Sequence, residues 1–216
     1  MIRSVVKGKT FVDVGGLWGL EGEKVSVALL YGAKSAVMID LYDANDVAWN
    51  LFRERLRAYD LEPGSVQCVS GDFLKYEGSS FEVVHSSGML YHFPNPFIYL
   101  ERLRRAASQR VILSSLVCHE KITNEQGVFQ VPSSGVVFVP ALSEEERRVL
   151  DEHWKTPTLY GIGTRLTNLE TTDFAANWWL PTRHVLRRMC EIAGFTVEDE
   201  GDFWNGNAVT LQLACR

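Results

Sequence analysis

Apolar and polar positions follow two rhythms over the first 116 residues. Short apolar runs at Phe11 to Val14, Ala36 to Ile39, Val66 to Val69, Phe81 to His85 and Arg110 to Leu116 predict five strands. Longer stretches between them carry apolar residues near helical spacing. Leu20 to Tyr31 predicts a helix that buries Leu20, Val25, Ala28 and Leu29. Asn45 to Tyr59 predicts a second, with Ala48, Leu51, Phe52, Leu56 and Tyr59 inward. Pro63-Gly64 interrupts the chain before the third strand. Asn95-Pro96 reads as an N-cap followed by proline at the first helical position, opening a helix to about Ala107.

The alternation stops after Leu116. Residues 117–177 hold glycines, prolines, aromatics and one clear helix signal. Ser143 and Glu146 fit a capping box that opens a helix to about Trp154. So long a departure inside an α/β domain predicts a functional lid rather than a bare loop. Order resumes with a helix from Thr182 to Ala193 that stops at Gly194. Strands at Phe195 to Glu200 and Ala208 to Ala214 come next. The short Asn205-Gly206-Asn207 turn between them makes that pair antiparallel.

A chain of 216 residues with 46% apolar residues fits one ordinary domain, 1–216, with a sizeable core. A net charge of −5 argues against a broad nucleic-acid-binding face. Cys68, Cys118, Cys190 and Cys215 are far apart and form no CxxC pair, which speaks against structural zinc and for a reduced, cytoplasmic setting. No signal-peptide pattern opens the chain, and no apolar run reaches the length of a membrane span, so no membrane partner is expected.

The chemistry concentrates at the ends of the predicted strands. Asp13-Val14-Gly15-Gly16-Leu17-Trp18-Gly19 closes the first strand as a glycine-rich turn. Glycine lets backbone pass close to a ligand. The spacing is neither the GxGxxG dinucleotide fingerprint nor a P-loop. No base lies between Asp13 and Glu21, so a polyphosphate meets repulsion there and a sulfonium bearing an ammonium meets attraction. Asp40 ends the second strand, where a carboxylate can accept from both ribose hydroxyls, with Leu41 beside it. Asp72 and Phe73 come after the third strand, suited to an adenine amino group and ring. Each acid also has a plain structural reading: Asp13 as a buried turn cap, Asp72 as part of a surface turn.

These residues resemble the class I S-adenosylmethionine-dependent methyltransferases. Asp13, Gly15, Gly16 and Gly19 resemble the family's first motif, Asp40 its ribose acid, and Gly71-Asp72-Phe73 its adenine motif. Val84 to Pro96, containing Ser86, Ser87 and Gly88-Met89-Leu90-Tyr91-His92, is similar to a subgroup holding tRNA wobble-uridine carboxymethyl-type transferases and small-molecule O-methyltransferases. The resemblance resumes at Asn177-Trp178-Trp179-Leu180-Pro181-Thr182. It implies a Rossmann-like sheet of seven strands, mostly parallel with the last antiparallel, helices on both faces, and a lid inserted after strand five. The chain starts close to strand one, which leaves the cover over the site to residues 117–177 or leaves the cofactor more exposed.

The resemblance implies S-adenosyl-L-methionine as cofactor and S-adenosyl-L-homocysteine as product, with Ser86 and Ser87 also beside it. A small-molecule acceptor, methylated at oxygen, is the leading function. RNA modification is a disfavoured alternative, and a non-catalytic binding protein a second. Tyr91 and His92 would lie near the transferred methyl: His92 as base or as a loop-shaping residue, Tyr91 as pocket wall. His119, paired with Glu120, together with Arg165, Trp178 and Trp179 are acceptor-binding candidates, and Trp154, Tyr160 and Phe174 add aromatic surface to the lid. The run Arg53-Glu54-Arg55-Leu56-Arg57 reads as a solvated helix face. No histidine or cysteine cluster has metal-ligand spacing. The sequence leaves open the acceptor, an ordinary or carboxylated cofactor, and the oligomeric state.

Overall fold

The structure, a computed structural model, describes residues 1–18, 20, 23–155 and 177–216. Gly19, Tyr160, Arg165 and Phe174 lie outside the described residues. The strands are β1 (Thr10–Val14), β2 (Ser35–Asp40), β3 (Val66–Ser70), β4 (Phe81–Ser87), β5 (Ala107–Leu116), β6 (Lys121–Asn124), β7 (Gly127–Gln130), β8 (Val136–Phe138), β9 (Trp179–Pro181), β10 (Phe195–Phe203) and β11 (Ala208–Cys215). The helices are α1 (Ile2–Val5), α2 (Val25–Leu30), α3 (Val47–Ala58), α4 (Pro96–Ala106), α5 (Glu144–Trp154) and α6 (Arg183–Ile192).

Seven strands form one sheet in the order β10-β11-β5-β4-β1-β2-β3. The pairings among β5, β4, β1, β2 and β3 are parallel, and β11 runs against both β5 and β10. The chain builds outward from β1 to β3, then crosses back to place β4 on the other side of β1. That reversal opens a crevice at the carboxyl ends of β1 and β4, where ligands of open α/β sheets bind.

Alternation along the strands sorts side chains to two faces. Val12, Val14, Val37, Ile39 and Val84 pack with Leu100 and Leu103 of α4 and Leu186 of α6. Phe11, Ala36, Met38 and Val83 pack with Ala28 of α2 and with Trp49, Phe52 and Leu56 of α3. Helices therefore cover both faces, as the resemblance implies.

Several predicted boundaries move. The first long helix shrinks to α2, which starts only at Val25, and Leu20 has a left-handed φ of 57°. In α3 the buried stripe is Ala48, Trp49, Phe52 and Leu56. Leu51 lies off that stripe and Tyr59 is the C-cap beyond the helix, so both are exposed rather than inward. The Asp46 side chain sets this phase by accepting from Ala48 N at 2.8 Å. Strands β4, β5 and β10 run two to three residues longer than their apolar cores.

The described part of the insertion holds more order than its sequence predicts. β6 and β7 form an antiparallel hairpin, and β8 pairs antiparallel with β9. These strands are three or four residues long, too short for a period to register. The capping box is present: Glu146 N donates to Ser143 Oγ at 3.3 Å and Ser143 N to Glu146 Oε2 at 2.8 Å. Ile122, Phe129, Val137, Val149, Leu150, Trp154 and Leu180 give this region its own core, which Tyr91 joins. Its outgoing and returning chains meet at a neck, where Cys118 N donates to Pro181 O at 2.8 Å and Cys118 bridges to Thr182. Among the described residues, no helix is long and apolar enough to cross a membrane.

Candidate functional site

The glycine turn leaves β1 with Gly15 at a φ of +75°, a left-handed conformation that favours glycine. Gly15 N donates to Ile39 O at 2.9 Å, tying the turn to the end of β2. Two carboxylates hold the rest of the turn. Leu17 N donates to Asp40 Oδ2 at 3.0 Å, and Lys24 N donates to Asp13 Oδ2 at 2.7 Å.

Asp13 is fully buried and also bonds His85 Nδ1 through Oδ1 at 2.6 Å. The two residues are register partners on adjacent strands. A Cβ on Gly16 would stand 2.5 Å from Asp13 Oδ2, so glycine is required above this carboxylate. Asp13 therefore lies beneath the turn and fixes it, in agreement with its reading as a buried turn cap. The far end of the turn is clamped by Glu23, also fully buried, which accepts from Ser26 N and Ser26 Oγ, each at 2.6 Å, and from Arg55 Nε at 3.0 Å. Arg55 thus belongs to a partly buried ion pair, which corrects the solvated-face reading at that one position of residues 53–57, while Leu56 joins the core as expected.

Asp40 is buried at 8% exposure. Burial pushes its carboxyl above the ordinary aspartate range; the N–H groups of Leu17, Tyr42 and Leu41 oppose this, and repulsion from Asp13 adds to it. Leu41 beside it is exposed. Gly71 N donates to Asp40 O at 2.8 Å, which brings the β3 end alongside. There Asp72 caps the short turn Phe73 to Lys75, accepting from Leu74 N at 2.9 Å, with one-third of its side chain open. Phe73 departs from expectation. Its ring is buried, edge-on to Tyr99 at 5.9 Å and beneath Arg102, so it serves the core rather than a ligand ring.

At the end of β4, Ser86 is buried and bonds Tyr99 Oη through Oγ at 2.5 Å, while Ser87 is half-buried. Gly88, at a φ of +78°, turns the chain into Leu90–His92. A Cβ on Gly88 would lie 3.3 Å from the Tyr91 hydroxyl oxygen. Burial raises the pKa of Tyr91 well above that of a free phenol, so the hydroxyl keeps its proton. His92 is half-buried with its ring 4.4 Å from that of Tyr91.

The insertion is stitched to this same loop. Trp178 N donates to Tyr91 O at 2.8 Å and Trp179 Nε1 to Pro94 O at 2.9 Å. Phe138 stacks near both tryptophans, 6.4 Å from Trp178 and 4.6 Å from Trp179. Tyr91, His92, Trp178 and Trp179 are thereby brought together. His119 is not among them. Its Nε2 bonds Asn207 Oδ1 at 3.0 Å, and His153 Nε2 bonds the same oxygen at 2.8 Å. Glu120 is exposed beyond it, so the expected His119–Glu120 pair is replaced by a link between α5, the exit from β5 and the β10–β11 turn. His153, on α5, faces this turn.

Sequence reasoning missed the ties made by His85, Glu23, Arg55 and Asn207. A histidine at an inward position of β4 was one available signal, since a buried polar group needs a partner. Among the described residues, no three His, Cys, Asp or Glu gather to hold a metal.

No protein-family model matches the chain, and no curated protein does. Solved structures do. The pyocyanin biosynthetic protein PhzM matches with a TM-score of 0.58 and 19% identity over 100% of this chain and 54% of its own. The 1,6-didemethyltoxoflavin-N1-methyltransferase of Burkholderia thailandensis, solved with 1,6-didemethyltoxoflavin and S-adenosylhomocysteine, matches with a TM-score of 0.58 and 14% identity over 99% and 76%. The magnesium protoporphyrin IX methyltransferase of Synechocystis, solved with S-adenosylhomocysteine, matches with a TM-score of 0.58 and 14% identity over 97% and 75%. This chain thus spans about half the length of PhzM and about three quarters of the other two. At such low identity these likenesses show the fold: the chain is built as these proteins are.

Proposed function

We propose that this chain is an S-adenosyl-L-methionine-dependent methyltransferase that methylates a small molecule at oxygen and releases S-adenosyl-L-homocysteine. The observation that carries this reading is Asp40, a buried carboxylate at the end of β2 that bonds the glycine turn where the strand order reverses. The residues fit that cofactor. Gly15 and Gly16 carry no side chains of their own, so that Met89 stands over the first and Asp13 packs against the second, and the acids around the turn suit a cation rather than a phosphate. Asp40 accepts from the ribose hydroxyls, Leu41 and Asp72 flank the adenine, and the Ser86–Ser87 strand end closes the remaining side. Asp13 acts through the turn it holds.

Bound there, the cofactor would supply a sulfonium methyl group to the acceptor oxygen, the electron pair of the broken carbon–sulfur bond staying on sulfur as a neutral thioether. This chain supplies position and exclusion of water. His92 takes the proton that the acceptor hydroxyl loses. Tyr91, its hydroxyl protonated, forms the wall beside Gly88. Phe138, Trp178 and Trp179 offer flat apolar surface to the acceptor, and residues 117–177 serve as its cover within a single domain. The four cysteines are free, in keeping with a reducing, cytoplasmic setting.

The test is thermal unfolding with S-adenosylhomocysteine. Ligand at a hundred times its dissociation constant adds about 2.7 kcal/mol, a rise of roughly 5–11 °C for a domain of this size. No rise at millimolar ligand sinks the assignment.

A further inference from the structure

The bare backbone of Gly15 is covered in this structure, and the cover is Met89. A Cβ on Gly15 would stand 2.5 Å from Met89 Sδ, 2.9 Å from its Cγ and 3.2 Å from its Cε. The whole outer half of the methionine side chain therefore lies on the face of the turn that lacks a side chain of its own. The turn itself is pinned on its other sides. Gly15 N is bonded to Ile39 O, Leu17 N to Asp40, and Asp13 packs beneath Gly16. Met89 can yield: it is half-buried, unbranched and turns about three side-chain bonds.

We infer that Met89 is a displaceable plug over the glycine turn and the residue that sets how tightly the turn takes the amino-acid half of its ligand. The inference rests on the cofactor reading proposed for this turn. A ligand that reaches Gly15 must first push the thioether aside. Its apparent affinity is reduced by the fraction of molecules in which Met89 is already away. The Met89 backbone stays in place, because Met89 O accepts from His92 N at 3.0 Å and begins the turn that carries Tyr91. The plug therefore moves by its side chain alone, at the junction between the cofactor turn and the acceptor loop.

Calorimetric titration of the wild type, Met89→Ala and Met89→Ile with S-adenosylhomocysteine and with adenosine tests this. Adenosine lacks the part that must reach Gly15. If Met89 covers the turn nine-tenths of the time, Met89→Ala binds S-adenosylhomocysteine about tenfold more tightly. Met89→Ile, stiff at its first side-chain bond, binds it more weakly than wild type. Adenosine affinity is the same in all three. Wild type that binds S-adenosylhomocysteine with no gain in Met89→Ala overturns the plug alone, as does an equal change for adenosine. Wild type that takes neither ligand overturns the cofactor reading and the plug with it.

Discussion

His85→Leu is the most direct test of how the glycine turn is held. His85 is 3% exposed and Asp13 is fully buried, so neither side chain can turn to bulk water. Leucine keeps apolar volume in β4 but removes the partner of Asp13 Oδ1, leaving Oδ2 with Lys24 N. A buried acceptor left unpaired costs about 1–3 kcal/mol, and breaking a buried pair from one side costs about 3–5 kcal/mol. Taking about 3 kcal/mol, the midpoint of thermal unfolding falls by roughly 6–12 °C for a domain of this size. Because Asp13 is the stay of the turn, affinity for S-adenosylhomocysteine falls as well, although His85 touches no ligand. The assay is urea unfolding of wild type, His85→Leu, Asp13→Ala and the double variant. The expected coupling is about 2 kcal/mol or more, since the second substitution has less left to break. A coupling near zero, or a His85→Leu protein as stable as wild type, refutes the pair as the support of the turn.

Two further outcomes turn on single carboxyl and imidazole groups. Burial raises the pKa of Asp40, so ionising this carboxyl costs more in the fold than in the unfolded chain; Asp40→Asn holds or raises the melting temperature while weakening S-adenosylhomocysteine binding, and a clear loss of stability in calorimetry contradicts this. His153 is held below the ordinary imidazole value of 6.5, first by burial and also by His119, against the favourable bond to Asn207. Its contribution to stability is therefore complete above about pH 6.5 and is lost as pH falls through the folded value. His153→Gln should flatten that part of the stability curve, and parallel curves for both proteins between about pH 7.5 and 5.5 count against it.

Legibility in the sequence tracked the distance between partners. Strand ends were readable, because an acid closing an apolar run, as Asp40 does, is a local pattern. The capping box of Ser143 and Glu146 was readable for the same reason: both partners sit within one helical turn. The partner of Asp13 was not, because His85 is far along the chain and only the parallel register of β1 and β4 brings them face to face. Arg55 looked like one charge among four until the fold placed buried Glu23 across from it. His119 and His153 meet only because Asn207, on a distant turn, offers both the same oxygen. Phe73 misled because an apolar residue beside an acid suits a ligand ring and a core equally well.

The neck between Cys118 and Pro181 has a consequence for how such a protein can change. The two chains that leave and rejoin the sheet are already fastened to each other, so the sheet presents one doorway to everything built beyond it. A different cover that starts and finishes at that doorway must renew the contacts the described insertion makes elsewhere, those of Trp178 and Trp179 with the Tyr91–Pro94 loop and that of His153 with Asn207 beside the closing strands. On the function proposed above, the insertion is in this sense an exchangeable cartridge for the acceptor. Grafts made at Cys118 and Pro181 are where new acceptor preferences can be sought while the ligand-holding half stays as it is.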